Sequence, residues 1–255
     1  MDLENLLRKI QNTKTLDFGN VISDTIELFK KIWLKGLVVR LFILISAICI
    51  SSLFNLIGVA PVLDFNMYED LDIKRLASFY TSSALYGIPQ NMLIATLNLA
   101  FVAAFYRICR NVVLGNTVHE DYFFFFKKEY FTKVFMLGII YTAIGTIAQL
   151  LCFIPYIYVF VPISYFAVIL AHHPHLSEME IVKASFALGN KKWLLTFGTM
   201  LVAGLMGMLG IIGCGIGVVF TISIVYLPPF LIYKDAIGLE ENHPIDDIGA
   251  NTDFN

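Results

Sequence analysis

Three histidines close together are the strongest candidate for chemistry in this sequence of 255 residues. They are His172, His173 and His175, with Pro174 between them. Three imidazoles and a water molecule can hold a catalytic zinc ion, provided that a second shell of hydrogen bonds orients the ligands. No acid lies within the cluster, and a polar loop is the competing interpretation. We therefore predict no metal site and no cofactor, and keep a histidine-dependent enzyme as an alternative.

Three amides are the next candidates. Gln90 and Asn91 follow Pro89 directly, and Asn98 comes about two helical turns later. Proline removes a backbone donor, so a helix can open beside it and leave the amides facing a cavity. Hydrogen bonding between helices is the ordinary role of such residues. We name Gln90, Asn91 and Asn98 as candidate cavity-lining residues.

A glycine-rich turn has the superficial form of a phosphate-binding loop. It reads Gly213-Cys214-Gly215-Ile216-Gly217, but the Lys-Ser or Lys-Thr pair of a phosphate-binding loop does not follow it. We interpret it as a tight turn between two helices. Small residues before and after the turn predict close approach of those helices, namely Gly204, Gly207, Gly210, Gly213 and Gly217.

Two of the four cysteines lie in predicted turns. A disulfide between Cys152 and Cys214 is a hypothesis that requires their α-carbons to lie within about 7 Å. Neither these cysteines nor any serine has a partner whose spacing indicates a nucleophile and its base. We predict that the protein is not an enzyme and has no catalytic residue.

The composition indicates where these residues reside. Hydrophobic residues make up 58% of the chain and charged residues 15%, against roughly 45–50% and about 25% in soluble proteins. Mean hydropathy is +0.74. Four stretches lack any charged residue or histidine: 41–63, 76–106, 134–171 and 193–233. These features indicate an integral membrane protein and exclude a soluble enzyme fold, a disordered chain and, with a net charge of −2, a nucleic-acid-binding protein.

The lengths of the uncharged stretches predict six transmembrane helices. About 20 helical residues cross the hydrocarbon core, so the first two stretches hold one span each and the two longer ones must fold as hairpins. Pro155 and the glycine-rich turn are the natural breaks. The predicted spans are about 36–60, 83–106, 134–153, 156–171, 193–212 and 216–233.

Basic residues indicate the orientation. They concentrate in residues 1–35, 107–133 and 183–192, whereas the loop at 64–75 is mainly acidic. Because basic loops remain in the cytoplasm, both termini are predicted to be cytoplasmic. Arg40 is the exception, about one turn inside the first span. It either extends to the lipid headgroups or is a buried functional charge.

A repeated unit precedes three of the spans. In each copy an amphipathic segment is followed by a Lys-Lys pair and a nearby aromatic residue, which is typical of a helix lying along the membrane interface. Thr117 with Glu120, and Ser177 with Glu180, match the capping box that begins a helix. The predicted interfacial anchors are Lys30, Lys31, Trp33, Lys127, Lys128, Tyr130, Lys191, Lys192 and Trp193.

Two further segments complete the organisation of the chain. The aromatic run 122–126 is interpreted as an anchoring belt or as a docking surface for an acyl chain or partner helix. Residues 1–235 are predicted to form a single membrane domain, and residues 236–255 an acidic, disordered cytoplasmic tail.

The third repeated unit resembles a known family. The similarity rests on the stretch 177–190, the glycine-rich turn at 213–217, and Leu227-Pro228-Pro229 with Tyr233-Lys234-Asp235. These segments resemble bacterial six-span proteins of unknown function that are similar to the membrane domain of some glycerophosphodiester phosphodiesterases. The resemblance is clearest over residues 120–235 and does not extend to the catalytic domain of those enzymes. It implies a bacterial inner-membrane protein and supplies no functional residue.

The sequence therefore predicts an all-α, polytopic membrane protein with six transmembrane helices and amphipathic interfacial helices. We expect a non-catalytic accessory or lipid-associated protein whose partners are the lipid bilayer and, as an open alternative, another membrane protein. A passive or partner-driven transporter of an amphiphile is the first alternative function, and a cavity lined by Gln90, Asn91 and Asn98 would favour it.

Overall fold

The computed structural model describes residues 1–58, 85–116, 120–151, 154–213 and 217–239, and every regular element in these ranges is helical. The α-helices are α1 (Leu3–Gln11), α2 (Phe18–Ile57), α3 (Ile88–Leu114), α4 (Lys128–Leu150), α5 (Ile154–His172), α6 (Glu178–Lys191), α7 (Trp193–Met208), α8 (Gly217–Thr221) and α9 (Leu227–Ile237). Short 3-10 helices occupy Phe124–Phe126, Leu209–Gly213 and Ile222–Tyr226.

Six segments are long and apolar enough to cross a membrane, which confirms the all-α, polytopic fold class. They are Phe18–Ile57, Ile88–Leu114, Lys128–Leu150, Ile154–His172, Trp193–Ile211 and Gly217–Ile237. Each overlaps one predicted span. The observed and predicted bounds differ most at the span ends that carry basic residues. There the helix continues into the charged residues, because a helix does not have to end where its hydropathy falls. Residues 240–255, most of the predicted tail, lie outside the described residues.

Helix α2 corrects the predicted division of the first repeated unit. We expected an interfacial helix, a joint at Lys30-Lys31 and a separate span from about residue 36, but one helix of 40 residues runs through all three. At about 1.5 Å per residue it is about 60 Å long. The helix continues through Gly36. Ser223 packs directly against this glycine, where a larger side chain would clash. One stripe of α2 faces protein along most of its length: Val21, Thr25, Leu28, Ile32, Gly36, Val39 and Ile43.

Helix α6 is amphipathic as predicted and α1 is amphipathic as well, but the apolar faces of both contact protein. The Ser177–Glu180 capping box is formed at the start of α6. Ile181 and Leu188 of α6 are fully buried and the helix packs on α5, while Leu6 of α1 is buried where α1 meets α6 and α9. The expectation that these faces lie on lipid is wrong for the buried side chains, since neighbouring helices already cover them.

Helix α5 lies at the centre of the fold. From Val161 to Ala171 every residue except Ser164 is buried, so all sides of this part of the helix are covered. The helices packed around it are α3, α4, α6, α7 and α9. A helix that is apolar all round is expected in such an interior position.

The two helices of the last hairpin approach closely at glycines, as predicted. A β-carbon on Gly207 would lie 3.2 Å from the α-carbon of Ile222, and Gly210 and Gly217 meet backbone to backbone. Gly204 differs, because a β-carbon there would meet no atom within 4 Å. The last span is also segmented, since Pro228 and Pro229 suit the first turn of a new helix, α9.

One contact contradicts the predicted arrangement of the fourth span. Tyr158, one turn into α5, donates a hydrogen bond to Asn190 Oδ1 at 2.7 Å, and Trp193 Nε1 donates to the Tyr158 carbonyl at 2.9 Å. We predicted that α5 begins at the outer face and that the Lys191-Lys192 joint lies at the inner face. Two points in hydrogen-bond contact cannot lie on opposite faces of a bilayer about 30 Å thick. The cause is α6, which folds back antiparallel along α5.

Candidate functional site

Each of the three histidines in the cluster contacts a different hydrogen-bond partner. His172 Nδ1 lies 2.8 Å from the Val168 carbonyl, His173 Nε2 lies 2.8 Å from the Tyr233 hydroxyl, and His175 Nε2 lies 3.0 Å from the Met1 carbonyl. Burial, with smaller contributions from the neighbouring His172 and His175, lowers the pKa of His173 to about 3. No group of three metal-ligating side chains occurs among the described residues. The histidines thus join α5 to α9 and to the N-terminus.

A cavity of about 150 Å³ lies between the central helix and its neighbours. Residues from α3, α4, α5, α7, α9 and the 3-10 helix at Ile222–Tyr226 form its walls. The lining residues are Asn98, Leu99, Val102, Tyr106, Tyr141, Phe160, Ile163, Ser164, Ala167, Met200, Val225, Tyr226 and Pro229. Phe160, Ile163, Ser164 and Ala167 follow helical spacing, so one face of α5 forms a wall.

Polar groups line this cavity within otherwise apolar helices. Asn98 Oδ1 is buried and has no hydrogen-bond partner among the described residues. The Ser164 hydroxyl donates to the Val161 carbonyl at 2.7 Å, and Tyr226 accepts a hydrogen bond from Arg40 at 3.3 Å. Tyr106 and Tyr141 add two further phenols. An unpaired buried acceptor costs about 1–3 kcal/mol, so a donor that reached Asn98 would bind favourably.

Of the three predicted cavity residues, only Asn98 lines the cavity. Gln90 donates from Nε2 to Ser51 Oγ at 3.0 Å and so bridges α3 to α2, while Asn91 is exposed. Pro89 lies in the first turn of α3, where proline begins a helix rather than opening one.

The remaining cavity groups were not predicted. Tyr106, Tyr141, Ser164 and Tyr226 belong to none of the predicted sites. Arg40 gave the one usable signal, because a cation inside a span is costly and needs an explanation. The structure directs its guanidinium toward Tyr226.

An apolar groove of about 250 Å³ adjoins the cavity on the surface of α7. Phe160, Met200 and Val225 line both the cavity and the groove. The groove also contains Phe197, Leu201, Gly204, Leu205 and Met208. Leu201, Leu205 and Met208 are each more than half exposed, and Gly204 leaves open space where other residues carry a side chain.

The predicted interfacial anchors separate into exposed and buried groups. Those with exposed side chains are Lys30, Lys31, Trp33, Lys127, Lys128 and Lys191. Tyr130 stacks on Phe124, and Trp193 stacks on Phe197. Lys192 is buried and donates a hydrogen bond to the Lys14 carbonyl. Burial lowers the pKa of Lys192, and the positive charge of the neighbouring Lys191 lowers it too. For Lys192 the headgroup-anchor prediction is wrong, because the N-terminal segment covers it.

The aromatic run packs against the spans as well as facing outward. Phe125 is fully buried, and Phe123 makes edge contacts with Phe42 of α2 and Phe101 of α3. The Arg107 guanidinium lies 3.3 Å from the centre of the Phe124 ring. The run therefore seals the junction between α2, α3 and α4.

Comparison of the chain with protein-family models, curated proteins and solved structures found no match. Assignment of a role therefore depends on the cavity and the groove. Thr117, Cys152 and Cys214 lie outside the described residues, so the predicted capping box at Thr117 and the Cys152–Cys214 disulfide stay predictions. Cys49 and Cys109 are free thiols.

Proposed function

We propose that this protein is a non-catalytic, lipid-associated membrane protein that holds one amphiphile. The polar head would occupy the cavity at Asn98 and the acyl chain would lie in the groove on α7. The observation that carries this proposal is the shared wall of Phe160, Met200 and Val225, which joins a polar cavity to an apolar surface groove.

The dimensions of the two spaces support this function. Together they reach the lower part of the range of roughly 300–1,000 Å³ that is typical of small-molecule sites. The groove lies on the exposed side of α7, where an acyl chain could enter laterally from the bilayer. The described cavity lining contains an amide and hydroxyls but no carboxylate, histidine or cysteine, which favours binding over catalysis.

Native mass spectrometry of the purified full chain tests the proposal. We expect a bound amphiphile to remain with the wild-type protein. Gly204→Leu should fill the groove and reduce its occupancy, because a β-carbon there meets no atom within 4 Å and the side chain can extend into the groove. Gly145→Leu is the matched control, since it also meets open space but lies on α4 away from the groove. Equal occupancy in the two variants would contradict the proposal.

We further propose the bacterial inner membrane as the location, with both termini in the cytoplasm. The basic residues of 1–35 and 107–133 support the orientation, and the resemblance to the six-span bacterial family supports the membrane. A fluorescent protein that matures only in the cytoplasm, fused after residue 255, should be bright. A dark fusion with an active periplasmic reporter at the same position would overturn the orientation.

A further inference from the structure

Arg40 of α2 is a cation within a membrane-crossing helix, beside a wall of the cavity. Its Nη1 donates a hydrogen bond at 3.3 Å to the hydroxyl of Tyr226, which lines the cavity. Arginine stays protonated in proteins, so this side chain places a full positive charge behind the phenol. Charges at this depth are rare and usually face a functional cavity.

No carboxylate compensates Arg40 among the described residues. The described ion pairs involve Lys35, Lys127 and Lys234 with other partners. None of the described cavity-lining residues is acidic. A second cation, Arg110, lies one helical turn beyond Tyr106 on the same face of α3 and is 8% exposed. Its Nε has no hydrogen-bond partner among the described residues.

The hydrogen bond from Arg40 also determines what Tyr226 can offer. Because the phenol oxygen accepts from the guanidinium, its own proton remains available to donate into the cavity. Tyr106, Tyr141 and the amide of Asn98 can donate there as well. Several donors with an uncompensated cation behind them suit a ligand rich in hydrogen-bond acceptors and negative charge.

On the basis of the proposed function, we infer that the bound amphiphile carries an anionic head, a carboxylate or a phosphate. The Tyr226 hydroxyl and the Asn98 amide nitrogen donate to the head, and Arg40 acts as a positioning residue that holds Tyr226 and supplies the positive potential. The acyl chain follows the wall at Phe160 and Met200 into the groove.

The test compares four dodecyl amphiphiles with the full chain in phosphatidylcholine nanodiscs: a carboxylate, a phosphate, a neutral glycerol ester and a trimethylammonium. The wild type is expected to bind the carboxylate or the phosphate at least about tenfold more tightly than the neutral ester. The stronger of the two anions identifies the head group. Equal affinity for the anionic, neutral and cationic compounds would overturn the inference and leave the proposed function intact, whereas binding of none of them would overturn both.

Variants assign the preference to Arg40. Arg40→Gln should bring affinity for the anion down to that for the neutral ester and leave the latter unchanged, and Tyr226→Phe should weaken binding of the anion. Arg40→Lys should retain the preference. Lys30→Gln removes an exposed cation from the same helix and controls for general attraction of anions to a basic surface. An unchanged preference in folded Arg40→Gln would overturn the role of Arg40.

Discussion

Gly189 of α6 lies directly against Pro162 of α5, so that a β-carbon built on the glycine would stand 2.6 Å from the proline α-carbon. The contact joins the backbone of the central helix to that of its antiparallel neighbour. Proline also lacks the backbone donor that would otherwise stand at this point of α5. This close approach allows α6 to cover α5 along its length.

Gly189→Ala should therefore destabilise the protein by about 1–3 kcal/mol, because the added methyl group meets backbone atoms that cannot rotate away. Thermal unfolding of the purified protein measures the effect. Gly145→Ala is the control, since its methyl group meets open space and replaces a helical glycine by a better helix former. Equal stability of the two variants would show that α5 and α6 do not pack in this way.

The hydrogen bond between Tyr158 and Asn190 predicts that these positions share one side of the membrane. After replacement of the native cysteines, Tyr158→Cys and Asn190→Cys should react with an impermeant maleimide from the same side of oriented vesicles. Two further variants calibrate the labelling. In the predicted topology Lys128→Cys marks the cytoplasmic side, and Tyr86→Cys, near the start of the second span, marks the outer side. Labelling of 158 and 190 from opposite sides would contradict the α5–α6 pairing.

Replacement of Asn98 by leucine should raise the stability of the protein and weaken binding of the amphiphile. The variant removes a buried acceptor that has no described partner, so the unfolding free energy should rise by about 1 kcal/mol. It should also lower the occupancy of the bound amphiphile, because a polar contact of the cavity is lost. Asn55→Leu, an exposed amide on α2, is the control and should leave occupancy unchanged. A fall in stability together with normal occupancy would argue for a purely structural Asn98.

Acid should destabilise the protein through His173. Burial lowers its folded pKa to about 3, whereas an unfolded histidine titrates near 6.5. Between these values the unfolded chain binds more protons, so the stability from this residue is complete above about pH 6.5 and is lost as the pH falls toward 3. A decrease of about 2 kcal/mol is expected between pH 7 and about pH 4.5.

His173→Gln should flatten this pH dependence, measured as the change in unfolding temperature across the same interval. His175→Gln should keep most of the slope of the wild type, because His175 contributes less than burial to the lowered pKa of His173. An unaltered slope in His173→Gln would exclude the residue as the main cause of the acid effect.

Much of the membrane architecture could be predicted from local patterns. The absence of charge in four long stretches predicts six apolar helices, and Ser177 with Glu180 predicts the start of α6, because both depend on neighbours in sequence. The glycines of the last hairpin follow the same logic. The continuity of α2 could not be predicted, because Lys30 and Lys31 are compatible both with a joint and with an unbroken helix.

The candidate site was less accessible to prediction. Asn98 was identified, but Gln90 and Asn91 were predicted beside it because Pro89 precedes them, and α3 directs the three side chains to different surroundings. Tyr141, Ser164 and Tyr226 lie on three other elements, far from Asn98 in the chain. No local pattern links them.

The sequence by itself determined that this protein is helical, apolar and built to reside in a bilayer, because hydropathy and helical period are properties of contiguous residues. Only the tertiary structure decided that α5 is enclosed, that α6 folds back on it, and that Arg40 meets Tyr226 beside Asn98. The last of these relations joins residues more than a hundred positions apart, and the fold-back of α6 joins residues about thirty apart, such as Tyr158 and Asn190. Packing of whole helix faces creates them, and each face selects its neighbour by shape as well as by hydropathy.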